Sequence, residues 1–173
     1  MHPLRKYVAS AAATILVGAA GVAAETAPAS SPDYGVQIPA DYRKWQMISA
    51  AHEAGRLNDI RVILGNDEAV EASRNGRRPF PDGTMFVRIA WKLEPSDRNN
   101  AFFGQNQSFV AGAPTNVQFE LKDSKKYAAT GGWGYAQLEN GKAISTTSLS
   151  RTCSACHARL PPSNDSVFTE YAR

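Results

Sequence analysis

Both cysteines of the chain lie close together near its C-terminus, and a histidine directly follows the second one. The stretch TCSACHARL covers residues 152–160 and places Cys153, Cys156 and His157 in the spacing C-x-x-C-H. Two thiols and an imidazole in this order could form a disulfide, ligate a zinc ion or attach a haem. Each of these uses needs different surroundings, so the rest of the chain helps to distinguish them.

Residues 1–24 have the pattern of a secretory signal peptide. Arg5 and Lys6 give it a positive start, residues 8–21 are largely apolar, and the small residues at 22–24 are typical of a cleavage site. The apolar run is too short and too rich in alanine for a convincing membrane span, although an uncleaved anchor is the alternative. We therefore expect an exported, periplasmic protein with no membrane span after cleavage.

The remaining chain has the length of one domain and little net charge. Loss of Arg5 and Lys6 with the signal peptide lowers the formal charge from +3 to +1. Because no polybasic run remains, we expect neither nucleic acid nor an anionic membrane as a partner. Residues 25–38 are small, polar and contain prolines, which predicts an extended lead-in before a domain at residues 39–173.

The exported location and the number of ligands favour haem over the other uses of the C-x-x-C-H segment. A disulfide suits an oxidising compartment, but across so short a loop it would stabilise the fold little, and the βαβ context of a thioredoxin-like pair is missing. A structural zinc site needs four ligands, and His52 is the only other histidine or cysteine after the signal peptide. We predict one covalently attached haem c, with Cys153 and Cys156 bonded to it and His157 as the iron ligand.

Hydrophobic periodicity predicts an α+β fold, a single domain with an antiparallel sheet and short helices that carry the C-terminal haem segment. The clearest strand covers residues 84–93, where Met85 and Val87 share one face and Phe86 and Arg88 share the other. The other predicted elements are strands at 59–64, 116–121 and 133–138, helices at 41–54 and 66–75, one or two helical turns at 123–130, a polar connection at 94–107 and a hairpin turn at 139–141. A four-helix bundle would need long heptad-like segments, which the sequence lacks.

The order of several segments resembles the cytochrome P460 family, which includes the β-sheet cytochromes c′. The resemblance runs through IPADYRKWQMI, NDIRVILGND, FPDGTMFVR, LKDSKKYAATGGWGY, CSACH and VFTEYAR. It implies a sheet-rich periplasmic haem protein, commonly a homodimer, with histidine on one side of the iron and an open distal side. In P460 proteins proper, it implies a lysine bonded to the porphyrin and oxidation of hydroxylamine and nitric oxide. In the β-sheet cytochromes c′ that bond is absent and the iron binds diatomic gases.

Arg88 occupies the position that distinguishes these two branches. The family's cross-linking lysine follows the pattern D-G-T-x-x-x-K, and Arg88 stands at that spacing after residues 82–84. A guanidinium stays protonated and is a poor nucleophile, so the usual cross-link is in doubt. Arg88 could instead pair with a haem propionate, donate to a distal ligand or be solvated. Lys92, about 13 Å further along an extended strand, is either a second candidate for the cross-link or a solvated charge.

Three other side chains could be a second axial ligand of the iron. His52 falls on the apolar side of the predicted helix 41–54, where it is either a packed histidine or a ligand. Met47 and Met85 could complete a His/Met site, but both lie in apolar patterns typical of a core.

Candidates for the surroundings of the haem remain open at four more positions. Phe86 could cap the distal iron or make a cross-strand contact, and Arg61 could contact a propionate or be a surface charge. Glu120 and Asp123 are the acidic candidates for the proton acceptor that hydroxylamine oxidation would need.

Three functions therefore fit the sequence. The protein could bind a small nitrogen-oxide ligand such as nitric oxide, or it could oxidise hydroxylamine and nitric oxide and pass electrons to a redox-partner cytochrome. A six-coordinate electron carrier is the third. Arg88 in place of lysine favours the ligand binder.

Overall fold

The computed structural model describes residues 29–31, 35–144 and 147–173. The signal peptide predicted at residues 1–24 lies outside the described residues and stays a prediction. None of the described helices is both long enough and apolar enough to cross a membrane.

One antiparallel sheet organises the domain. Two short strands precede it, β1 (Ala29–Ser31) and β2 (Val36–Ile38), and pair with each other. The six strands of the main sheet are β3 (Gln46–Glu53), β4 (Asp59–Gly65), β5 (Met85–Pro95), β6 (Phe109–Lys122), β7 (Trp133–Glu139) and β8 (Lys142–Ala143). Each strand pairs with the next one along the chain, so the sheet is a meander. The α+β class with an antiparallel sheet is confirmed.

Three helices and three single turns of 3-10 helix complete the described fold. The helices are α1 (Asp67–Arg74), α2 (Asp97–Phe103) and α3 (Thr147–His157), and the 3-10 turns are Tyr42–Lys44, Ala128–Thr130 and Pro162–Asn164. The predicted helix at 66–75 is confirmed, because Asn66 caps it by accepting a hydrogen bond from the backbone of Ala69 at 3.1 Å.

The helix predicted at residues 41–54 is wrong. Only Tyr42–Lys44 is helical, and Gln46–Glu53 forms strand β3, which pairs with β4. The register of that pairing shifts between Met47 and Ser49, which interrupts the two-residue alternation expected of a strand. The apolar residues of this segment therefore match the helical period only by coincidence. Pairing with β4 makes the segment a strand.

The polar connection predicted at residues 94–107 is also wrong, because it contains helix α2. Ser96 caps this helix by accepting from the backbone of Asn99 at 3.4 Å, and Gly104 ends it in the left-handed conformation with φ 67°. The helix has no apolar stripe facing the core, since Phe102 is 82% exposed. Hydrophobic periodicity consequently gave no signal for it.

The sheet has a hydrophobic core on each side. The first face carries a cluster that includes Met85, Val87, Ile89 and Phe119. The second face carries a cluster that includes Ile48, Ile63, Phe86, Trp133 and Tyr135, and Val167 from the C-terminal segment packs there too. The alternation predicted for β5 is confirmed, and its Phe86 face belongs to the second-face core.

Candidate functional site

Helix α3 carries both thiols and the imidazole of the C-x-x-C-H segment and packs against β7. Cys153 is half-buried and packs against the second-face core, whereas Cys156 is exposed. Both are free thiols. The segment is thus held on the second face with one thiol turned to the protein and the other to solvent.

Cys153 is held as a neutral thiol. Burial, together with the charges of Glu120 and Cys156, raises its pKa to about 11. Among the described residues, no group of three or more His, Cys, Asp and Glu side chains is arranged to hold a metal ion. Two thiols followed directly by an imidazole fit a c-type haem.

His157 is held with one ring nitrogen engaged and the other available. Its Nδ1 lies 2.7 Å from the carbonyl oxygen of Ser166. Because a carbonyl can only accept, Nδ1 carries the proton and Nε2 keeps its lone pair. Burial lowers the pKa of the imidazole, against the opposing effect of the Ser166 contact. The rings of Tyr135 and Phe168 contact the imidazole edge-on at centroid distances of 5.1 and 5.0 Å. This is the arrangement of a neutral histidine that ligates iron through Nε2.

Glu120 lies beside the imidazole, but at the nitrogen that cannot bind iron. Its Oε2 is 3.2 Å from Nδ1 of His157 and has no hydrogen-bond partner. Burial raises the pKa of Glu120 to about 8, and the negative charge of Asp165 contributes to the rise. Nδ1 and Nε2 point in different directions, so Glu120 would lie on the histidine side of an iron bound at Nε2 and not on the distal side considered for it. Oδ1 of Asp123 accepts from the backbone N–H of Lys126 at 2.9 Å, and the role of Asp123 as a proton acceptor stays a prediction.

Arg88 is on the second face and is fixed by two partners. Its guanidinium forms an ion pair with Asp59 and donates to Asn116 Oδ1 at 3.2 Å. The two charged side chains are only 15% and 4% exposed, so Arg88 is not a solvated strand residue. Arg88 pairs across the sheet with Gln118, two residues from Glu120 on the same strand. Its contact with a haem propionate or distal ligand stays a prediction.

Arg61 and Lys92 are engaged further along the sheet. Arg61 forms an ion pair with Glu53 at 2.6 Å. Lys92 is exposed, and its Nζ donates to the carbonyl of Leu57 at 3.3 Å. Phe86 pairs with Glu120 beside His157, and Lys92 is about 20 Å of extended strand from Phe86. The structure therefore does not bring Lys92 close to His157, and the roles proposed for both side chains stay predictions.

The three candidates for a second axial ligand all lie on the first face, across the sheet from His157. Met85 is buried in the first-face core. Met47 is 54% exposed and pairs with Leu64 of that core. His52 pairs with Ile60, which is itself opposite Trp91 of the first face.

His52 and Phe86 also differ from their sequence-based interpretations. His52 is exposed on a strand, where its Nε2 contacts Asn58 Oδ1 at 3.2 Å, and is not packed on an apolar helix face. Phe86 is 2% exposed and packs against Phe80 and Trp133 at centroid distances of 5.1 and 6.2 Å. It is a core residue.

Several contacts of His157 were not predicted from the sequence. Ser166 acts through its backbone carbonyl, so its side chain gives no signal. Lys122 and Asp165, which form an ion pair next to this carbonyl, are far apart in sequence, and their side chains are 7% and 13% exposed. The run of Pro161 to Asp165 does have the composition of a turn, and this was the available signal.

Comparison with known proteins gives one match. The family model described as Cytochrome P460 matches residues 39–169, which is most of the chain. No curated protein matches the sequence closely enough to be counted as a relative.

Proposed function

The chain belongs to the cytochrome P460 family and is a haem protein of the c type, and from this premise we propose that it binds nitric oxide or a similar small nitrogen oxide at an open iron position. In this proposal a single haem c is attached through Cys153 and Cys156, and His157 ligates its iron through Nε2. The bound haem supplies an iron centre with affinity for diatomic gases. The protein supplies attachment, one axial ligand and a fixed ring orientation.

The observation that carries the proposal is the position of the spare ligands. His52, Met47 and Met85 lie on the first face of the sheet, whereas His157 lies on the second. A second ligand from this set would have to pass through the hydrogen-bonded sheet. The distal iron position is therefore left for an external ligand, which distinguishes the proposal from a six-coordinate electron carrier.

The contacts of Arg88 support ligand binding over oxidation of hydroxylamine. The oxidising branch depends on a lysine bonded to the porphyrin, and Arg88 at that position is paired with Asp59 and Asn116. A paired, permanently charged guanidinium is not a nucleophile. Glu120, a buried carboxylate beside His157, contacts Nδ1, so in this proposal it lies on the histidine side of the iron and away from a distal substrate.

Exposed aromatic side chains support the homodimer that the family resemblance implies. Phe102 and Phe103 on α2 are 82% and 56% exposed, and Phe109 at the start of β6 is 52% exposed. A hydrogen bond from Asn100 to the carbonyl of Ser108 at 3.2 Å holds the two segments together. We propose that a second copy of the chain covers this surface. Phe102→Asp should then convert the dimer to a monomer, as measured by sedimentation. An unchanged molecular mass would contradict the proposal.

Gas binding and turnover can be measured on the same preparation. The protein, matured with haem in a periplasm, is reduced and titrated anaerobically with nitric oxide, and separately mixed with hydroxylamine and an electron acceptor. We expect one nitric oxide per haem and no hydroxylamine turnover. His52→Ala is the matched control and should bind nitric oxide as the unmodified protein does. Failure to bind, or sustained turnover of hydroxylamine, would contradict the proposal.

A further inference from the structure

We propose that the buried ion pair of Lys122 and Asp165 is a positioning device for His157, acting through the backbone of Ser166. The inference rests on the proposed role of His157 as the iron ligand. It assigns a role to two residues outside the C-x-x-C-H segment and away from the distal side.

Asp165 is held by three different parts of the fold. Its carboxylate oxygens lie 2.7 and 2.9 Å from Nζ of Lys122, at the end of β6. The backbone N–H of Phe80 donates to the same carboxylate at 2.8 Å, and Nε1 of Trp133 donates to the carbonyl of Asp165 at 2.8 Å. Both side chains of the ion pair are nearly buried, at 7% and 13% exposure. The backbone at Asp165 is therefore fixed with respect to the sheet.

This fixed backbone has an unfavourable conformation. Asp165 and Ser166 have φ values of 49° and 61°, in the left-handed region that side chains other than glycine seldom adopt. Two such residues in succession persist only where surrounding contacts determine them. The conformation directs the Ser166 carbonyl at Nδ1 of His157, 2.7 Å away. Val167, which follows, is buried in the second-face core and fixes the other end of the segment.

The consequence for His157 is electronic as well as steric. A carbonyl that accepts from Nδ1 fixes the ring orientation and makes the other nitrogen a stronger electron donor to a metal. Without the ion pair, the left-handed residues can relax and the Ser166 carbonyl can move away. The iron–histidine bond would then weaken, and the reduction potential would rise because the iron receives less electron density.

The test is resonance Raman spectroscopy of the ferrous haem protein, with the iron–histidine stretching band as the readout. Lys122→Met should shift this band to lower frequency and broaden it, and the midpoint potential should rise. Asp165→Asn keeps the size of the side chain and therefore tests the same ion pair if Lys122→Met does not fold. It should shift the band in the same direction. Lys122→Arg keeps the charge and should restore part of the original frequency.

Two controls separate positioning from general destabilisation. Lys126→Met makes the same substitution at an exposed lysine of a turn, whose Nζ donates to the carbonyl of Gly35 and lies over the ring of Tyr127. Ile89→Ala damages the core of the opposite face. Neither should move the band. Unchanged bands in Lys122→Met and Asp165→Asn, with a normal band in the unmodified protein, would overturn the positioning role alone. Absence of any iron–histidine band in the unmodified protein would overturn both this role and the proposed function.

Discussion

The imidazole of His157 donates from Nδ1 to the carbonyl oxygen of Ser166 at 2.7 Å, across the turn that follows the C-x-x-C-H segment. This single contact fixes which nitrogen is free, and the Tyr135 and Phe168 rings fix the plane of the imidazole. The protein thereby presents Nε2 in one orientation. A ligand held in this way loses little conformational entropy when it binds iron.

Removal of the imidazole should leave the haem attached but without its protein axial ligand. We expect His157→Gly to change the ferrous spectrum and to lose the iron–histidine stretching band, because among the described residues His157 is the only histidine on this face. Added imidazole should restore the band by occupying the space left by the side chain. His52→Ala is the control and should keep the spectrum of the unmodified protein. A His157→Gly spectrum identical to that of the unmodified protein would show that another group ligates the iron.

Loss of the thiols should abolish covalent attachment. In the double variant Cys153→Ala, Cys156→Ala, haem should leave the polypeptide on a denaturing gel, whereas each single variant should retain it through one bond. Haem staining and the pyridine haemochrome spectrum measure both results. Covalently bound haem in the double variant would contradict this assignment and would indicate attachment by a different nucleophile.

The ion pair of Arg88 and Asp59 should contribute to the stability of the fold, because both side chains are nearly buried. Arg88→Met leaves a nearly buried carboxylate without its counter-charge, which we expect to lower the free energy of unfolding by about 3 kcal/mol. The double variant with Asp59→Asn should recover part of this loss, because it removes the uncompensated charge. Urea unfolding measures both values. Equal stability of Arg88→Met and the unmodified protein would contradict the buried pairing.

Asn66 connects three elements and should be sensitive to substitution. Its Oδ1 accepts from the backbones of Ala69 and Met85 at 3.1 and 3.0 Å, and its Nδ2 donates to the carbonyl of Gly83 at 2.8 Å. We expect Asn66→Ala to cost about 2 kcal/mol. Asn66→Asp should cost less, since it keeps the acceptor and loses only the donor. The comparison is made by urea unfolding, and equal losses in the two variants would refute the capping role of Oδ1.

The sequence predicted those parts of the fold that local chemistry determines. The helix at 66–75 and the alternation of Met85, Phe86 and Val87 depend on local signals, and both predictions are confirmed. Strand β3 was missed because its irregular register near Met47 depends on pairing with β4. Helix α2 was missed because it has no apolar stripe.

The candidate site was predictable only where its residues form a motif. Cys153, Cys156 and His157 follow from their spacing, and the family match accords with the haem they imply. Ser166 could not be predicted, because it acts through a backbone carbonyl that every residue has. Lys122 and Asp165 are 43 positions apart, and only the folded sheet brings them together.

The most direct test of the central claim is the absorption spectrum of the protein reduced with dithionite after periplasmic haem maturation. An attached, unmodified haem with His157 as its only protein ligand predicts an ordinary five-coordinate ferrous haem c spectrum. A six-coordinate low-spin spectrum would contradict the open distal position. A strongly red-shifted ferrous band, like that of the P460 proteins, would contradict the absence of a cross-link.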